Sequence, residues 1–92
     1  MEAKKMKTIE LKPRYDHAAS FYKKASIIID NETAYLRSYN TIVCSIDKNG
    51  NFRRHWGGYS ATTMRHVNEF LKQYGKLDGG KKYWDSQAVV NW

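Results

Sequence analysis

Fifteen residues, FRRHWGGYSATTMRH (52–66), gather three arginines, two histidines, three aromatics, a Gly-Gly pair and a run of hydroxyls. A metal would need ligands from His17, Cys44, His55 and His66, yet these share no zinc-type spacing and the only plausible pair, His55 and His66, stands across a turn. A nucleophile would pair Ser60 with His66, but six residues on a helix of 3.6 residues per turn leave the two about 120° apart. That pair also lacks a third group to orient the base. Gly57-Gly58 ahead of a helix start could cradle an anion, although GGYSATT has neither the lysine nor the glycine spacing of a P-loop. The sequence therefore predicts no catalytic residue, no metal and no cofactor.

Binding chemistry fits the stretch better. Aromatic side chains interleaved with cations supply base stacking and phosphate pairing. On a strand, Arg53 and His55 share one face and Arg54 shares the other with Phe52 and Trp56. On the following helix, Arg65, His66, Asn68, Glu69, Lys72 and Gln73 are read as the polar side. The predicted contact set is Arg53, Arg54, His55, Tyr59, Arg65, His66 and Lys72, with Tyr35, Arg37 and Tyr39 on one sheet face. Against this stands the need of a two-layer fold for an aromatic face under its helix. A second candidate is the C-terminal stretch Lys81, Lys82, Tyr83, Trp84 and Trp92, because tryptophans near a terminus dock on the body or on a partner.

The elements that must position these residues follow from hydrophobic period and turn chemistry. Residues 1–7 are polar and read as a flexible N-terminus, and residues 8–12 alternate as an edge strand ended by Pro13. Asp16 could cap a helical turn through Ala18 and Ala19. Residues 21–30, with Ile27, Ile28 and Ile29, read as a strand closed by a turn at Asn31. Residues 33–39 and 41–47 follow as strands, the first facing Ala34 and Leu36 one way, the second carrying Ile42, Cys44 and Ile46. DKNGN is a hairpin turn, with Asn49-Gly50 supplying positive φ, and residues 52–56 return. Ser60, with Thr62 as competitor, caps a helix whose Met64, Val67, Leu71 and Tyr74 form one apolar stripe widened by Phe70, and Gly75 ends it. Residues 76–92 fit a last strand, a short helix or a docked tail.

The expected architecture is α+β: a small antiparallel sheet of three to five strands with one main α-helix packed on one face, a single domain over residues 8–75. A chain of 92 residues has room for one core only. Sixteen Lys and Arg against nine Asp and Glu give a net charge of +7, which favours an anionic partner, although charge can also serve solubility alone. Cys44 is the only cysteine and sits in an apolar strand pattern, as a small buried hydrophobe would. No apolar run approaches the roughly 20 residues that span a bilayer, and the N-terminus lacks a signal-peptide core. A cytoplasmic protein without membrane contact is expected.

Residues 38–75 resemble a family of short uncharacterised proteins of bacteria and their phages, through Ser38-Tyr39-x-Thr41-x-Val43, then Ser60-x-Thr62-Thr63-x-Arg65-His66 and Glu69-Phe70-Leu71. SFYKKA (20–25) extends the match. The resemblance implies a phage or mobile-element setting, hence the cytoplasm of a host cell, and marks Ser60, Thr62, Thr63, Arg65, His66 and Glu69 without assigning them an activity. The expectation is a non-enzymatic binding protein engaging nucleic acid or a nucleic-acid-handling host protein complex. The alternative is an inhibitor of a host defence system, like an anti-CRISPR protein, acting by direct protein–protein binding through its tryptophans. An exposed sheet edge could also pair with itself into a homodimer.

Overall fold

The computed structural model describes residues 6–14, 20–21, 23–58, 60–75 and 80–90, with Gly80 and Lys81 as backbone only. Five strands, β1 (Met6–Glu10), β2 (Ala25–Asp30), β3 (Thr33–Ser38), β4 (Thr41–Ile46) and β5 (Phe52–Arg54), make one antiparallel sheet in sequence order. Helix α1 (Ala61–Phe70) runs on into a π-helical turn, Leu71–Gly75, and α2 (Gly80–Ser86) follows. The fold is thus the α+β sheet-and-helix layer expected. The strand β1 begins at Met6, inside the stretch read as flexible, while the turn expected at residues 16–19 lies outside the described residues.

Short turns make β2 to β5 a meander, while a longer connection returns β1 to the edge beside β2. Asn31 and Glu32 both take positive φ, 52° and 69°, the left-handed pair that a two-residue hairpin matching strand twist requires. Between β4 and β5, Gly50 at φ 85° completes a turn organised by Asp47, whose side chain accepts from the Asn49 and Asn51 amides at 2.9 Å each. Only Gly50 of the Asn49-Gly50 pair is left-handed. Those amides, the Asn51 amide first, hold the Asp47 carboxyl below its ordinary range. A depressed carboxyl adds stability above its unfolded value that disappears as pH falls through the folded one, so acid should loosen this turn.

One irregularity reshapes the sheet. Leu36 pairs with Cys44 and Arg37 with Ile42, so Val43 is an extra residue, a β-bulge. Val43 and Cys44 are consequently both buried, and Ile42, read as a core residue beside Cys44, turns to the opposite face. Burial also pushes the Cys44 thiol up, leaving it protonated and unreactive.

The Ser60 hydroxyl caps α1 by accepting from the Thr63 amide at 3.2 Å. Ser60→Ala should cost about 1 kcal/mol in denaturant unfolding, with the transition slope unchanged. The expected stripe holds: Met64, Val67, Phe70 and Leu71 are buried, and Tyr74 stacks on Phe70 at 5.2 Å. The polar side is narrower than the sequence suggested, because Thr63, His66 and Glu69 are buried as well.

Candidate functional site

The sequence-predicted residues do not form one patch. Arg53 is exposed on the sheet face opposite α1, 3.9 Å from the Asp47 carboxylate. On that face His55 Nε2 meets Ser45 Oγ at 2.8 Å and its ring lies 6.1 Å from Tyr35. Burial pulls the His55 pKa down, helped by Arg53 and opposed by a bond to Val90. The folded protein then binds fewer protons than the unfolded chain between the lowered value and about 6.5, so stability falls on acidification through that window. Denaturant unfolding at pH 7.5 and 5.5 should show a drop that His55→Gln reduces. The same face carries acids and a hollow of about 250 Å³ lined by Met6, Ile28, Asp30, Tyr35 and Ile42. It is mixed in charge rather than basic.

Arg54 is not a surface cation. It is 9% exposed and donates to the carbonyls of Trp56 (2.8 Å), Trp84 (3.0 Å), Gln87 and Gly58 (both 3.4 Å). Its guanidinium lies 4.3 Å from the Trp84 ring, and its backbone carbonyl accepts from the Val90 amide. Sequence reasoning placed it outside because a charge is assumed to face water. Here a planar fork of donors closes the carbonyls of one chain segment onto another. Trp84, expected to dock on the body or on a partner, is fully buried beside Phe52 on the body, and Tyr83 packs on Phe52 at 5.4 Å. Within the C-terminal stretch, α2 is therefore a docked short helix. Lys82 on it is exposed, while Tyr59, Trp92 and the Lys81 side chain lie outside the described residues.

His66 is likewise buried, 1% exposed. Ser38 Oγ shares a hydrogen bond with His66 Nδ1 at 2.8 Å and another with Thr63 Oγ1 at 3.0 Å. Phe21 packs edge-on against the His66 ring at 4.7 Å, and Tyr39 lies 6.0 Å from it. Segments 20–25, 38–43 and 60–66, which carry the sequence resemblance, thus meet at one place. A Ser–His pair is the geometry of an activated nucleophile, but a substrate cannot reach hydroxyl and ring at this burial, so the cluster serves as a tie between sheet and helix.

Exposed cations lie instead on and beside α1. Arg65 is exposed and Lys72 half-exposed two turns on, which brings them to one helix face. At the C-terminal end the Lys12 carbonyl accepts from Gln73, and Arg14 is close enough to influence Tyr74. Beside the middle of the helix Lys24 Nζ lies 5.8 Å over the ring of Tyr39, which stands 6.0 Å from His66, and Lys23 precedes Lys24 in the chain. Lys12, Arg14, Lys23 and Lys24 are exposed, whereas Glu69 of the helix is buried and accepts from Gln73. Among these, Arg65 and Lys72 were predicted. The others were missed because they come from loops far apart in sequence.

Among the described residues no three His, Cys, Asp or Glu side chains come together as metal ligands, and no helix is long and apolar enough to cross a membrane. Fold and surface define a small α+β protein whose helix side is cationic and whose open sheet face is mixed. The chain belongs to a family of unknown function, DUF8033, whose model matches residues 9–86. Neither a curated protein nor a solved structure matches it.

Proposed function

We propose that this is a non-enzymatic binding protein of phage or mobile-element type that engages nucleic acid, or a nucleoprotein complex, in the host cytoplasm through the outer side of α1. The observation that supports it is that exposed cations flank this helix: Arg65 and Lys72 on one face, Lys12 and Arg14 at its C-terminal end, and Lys24 over Tyr39, whose ring lies 6.0 Å from His66. Such a cluster attracts phosphate and releases counterions when it binds. Inhibition of a host defence protein through exposed tryptophans is the weaker reading, because Trp84 is fully buried.

Binding to labelled DNA and RNA across a salt series tests the proposal. Affinity should fall steeply with salt, by about 0.9 in log–log slope per phosphate contact on duplex DNA. Arg65→Ala with Lys72→Ala should flatten that slope, whereas Arg53→Ala on the opposite face should leave it alone. Absence of binding at low salt, or equal loss from Arg53→Ala, refutes the assignment.

A further inference from the structure

Tyr39 occupies a position that its side chain does not favour. It follows β3 in the turn to β4 with φ 55°, a left-handed conformation uncommon for a bulky residue and favoured by Gly or Asn. Backbone strain of this kind persists only where the surroundings enforce it. The Tyr39 amide donates to the Lys24 carbonyl at 2.7 Å, so the turn is clamped to the loop before β2. Simple alternation along β3 would put the ring with Tyr35 and Arg37 on the open sheet face. The left-handed turn instead brings it over the sheet end to His66, beside α1.

The consequence is a tyrosine 47% exposed beside the cations of the helix side. Below it the ring of His66 is fixed by Ser38 and Phe21. Over the Tyr39 ring stands the exposed Lys24 at 5.8 Å, and Lys23, next to Lys24 in the chain, is exposed and left-handed at φ 62°. An exposed ring with a buried ring 6.0 Å away, the Lys24 ammonium 5.8 Å over it and Lys23 next in the chain has the composition of a stacking platform: a base takes the place of the Lys24 ammonium over the ring while the adjoining phosphates meet the lysines. A duplex offers no free base face except at its ends, so such a platform selects strands whose bases are unpaired.

We infer that Tyr39, with Lys23 and Lys24, is a stacking site for an unpaired base of single-stranded nucleic acid. The inference rests on the nucleic-acid reading above and adds to it both the substrate class and the residue that reads it. Tyr39 contributes through its ring and the lysines through charge, so the two can be separated.

The test compares a single strand of about 12 nucleotides with an abasic phosphodiester strand of equal length, a length inside the usual footprint of single-strand sites. The native protein should prefer the base-bearing strand. Tyr39→Ala should lose about tenfold on that strand and nothing on the abasic one, while Tyr39→Phe and Tyr39→Trp retain binding. Tyr39→Asn suits the left-handed turn, so it should melt at an unchanged or higher temperature and still lose the base-dependent affinity, an outcome that a merely structural tyrosine would not give. Lys23→Ala with Lys24→Ala should weaken both strands equally. Native binding that Tyr39→Asn and Tyr39→Ala leave intact, or equal affinity for the abasic strand, overturns the stacking site and leaves the nucleic-acid reading standing. No strand binding at low salt, with capture of an acidic protein instead, overturns both.

Discussion

Replacing Trp84 by alanine should destabilise the protein by about 3–5 kcal/mol, the range found when a large aromatic is removed from a packed interior. A domain of this length holds roughly 5–14 kcal/mol in total at 0.05–0.15 per residue, so the loss is a large part of the whole. Trp84 is fully buried, with Phe52 6.4 Å away on one side and the Arg54 guanidinium 4.3 Å away on another. Its indole N–H finds no hydrogen-bond partner among the described residues, so Trp84→Phe gives up no bond and should cost clearly less than the alanine change. Arg54→Ala should cost about 3 kcal/mol, because it strips charged donors from the carbonyls of Trp56, Trp84, Gln87 and Gly58 in a largely buried site. The two residues touch, and the double variant should fall short of the summed losses by about 1–2 kcal/mol. Urea unfolding of the four proteins measures this, and a Trp84→Ala loss below about 1 kcal/mol would mean that α2 is not part of the cooperative unit.

That result would also explain why the C-terminal stretch misleads as a sequence. A tryptophan among lysines near the end of the chain reads as a recognition tail, since nothing local says what covers it. What covers it is Arg54, thirty residues earlier, and a buried arginine is the assignment that charge-based reading is least prepared to make. Features governed by local physics were legible: the Gly50 turn, the Ser60 cap, the Met64–Val67–Leu71 stripe and the antiparallel meander. Features decided by partners distant in sequence were not. The bulge at Val43 leaves the alternation of Ile42, Cys44 and Ile46 intact on paper while moving Ile42 to the other face. The burial of His66 depends on Phe21 and Ser38 arriving from two other segments, and no property of the α1 sequence announces them. The candidate site was half legible for the same reason. Arg65 and Lys72 follow from helical period, but Tyr39, Lys23 and Lys24 join them only once the sheet end is folded against α1.

Removing His66 should be the second severe change and the one that links stability to binding. His66→Ala deletes a buried ring between Phe21 and Tyr39 and leaves the Ser38 hydroxyl without its imidazole partner, for an expected loss of about 3 kcal/mol. Ser38→Ala should cost about 1–3 kcal/mol, since it takes the partner from both His66 Nδ1 and Thr63 Oγ1. A buried polar group stripped of its partner is the source of both losses, so replacing the two together by apolar groups should be cheaper than the sum. Ser38→Ala with His66→Phe keeps a ring beneath Tyr39, removes both ends of the 2.8 Å bond, and should recover about 1–2 kcal/mol of the expected total. The same set discriminates the role of the ring. If His66 serves Tyr39 as a support, His66→Phe should keep single-strand affinity within about twofold of the native protein, whereas His66→Ala, measured well below its melting temperature, should approach the tenfold loss of Tyr39→Ala. Equal single-strand binding by His66→Ala and the native protein would show that the turn at Tyr39 holds its geometry through the clamp to the Lys24 carbonyl alone.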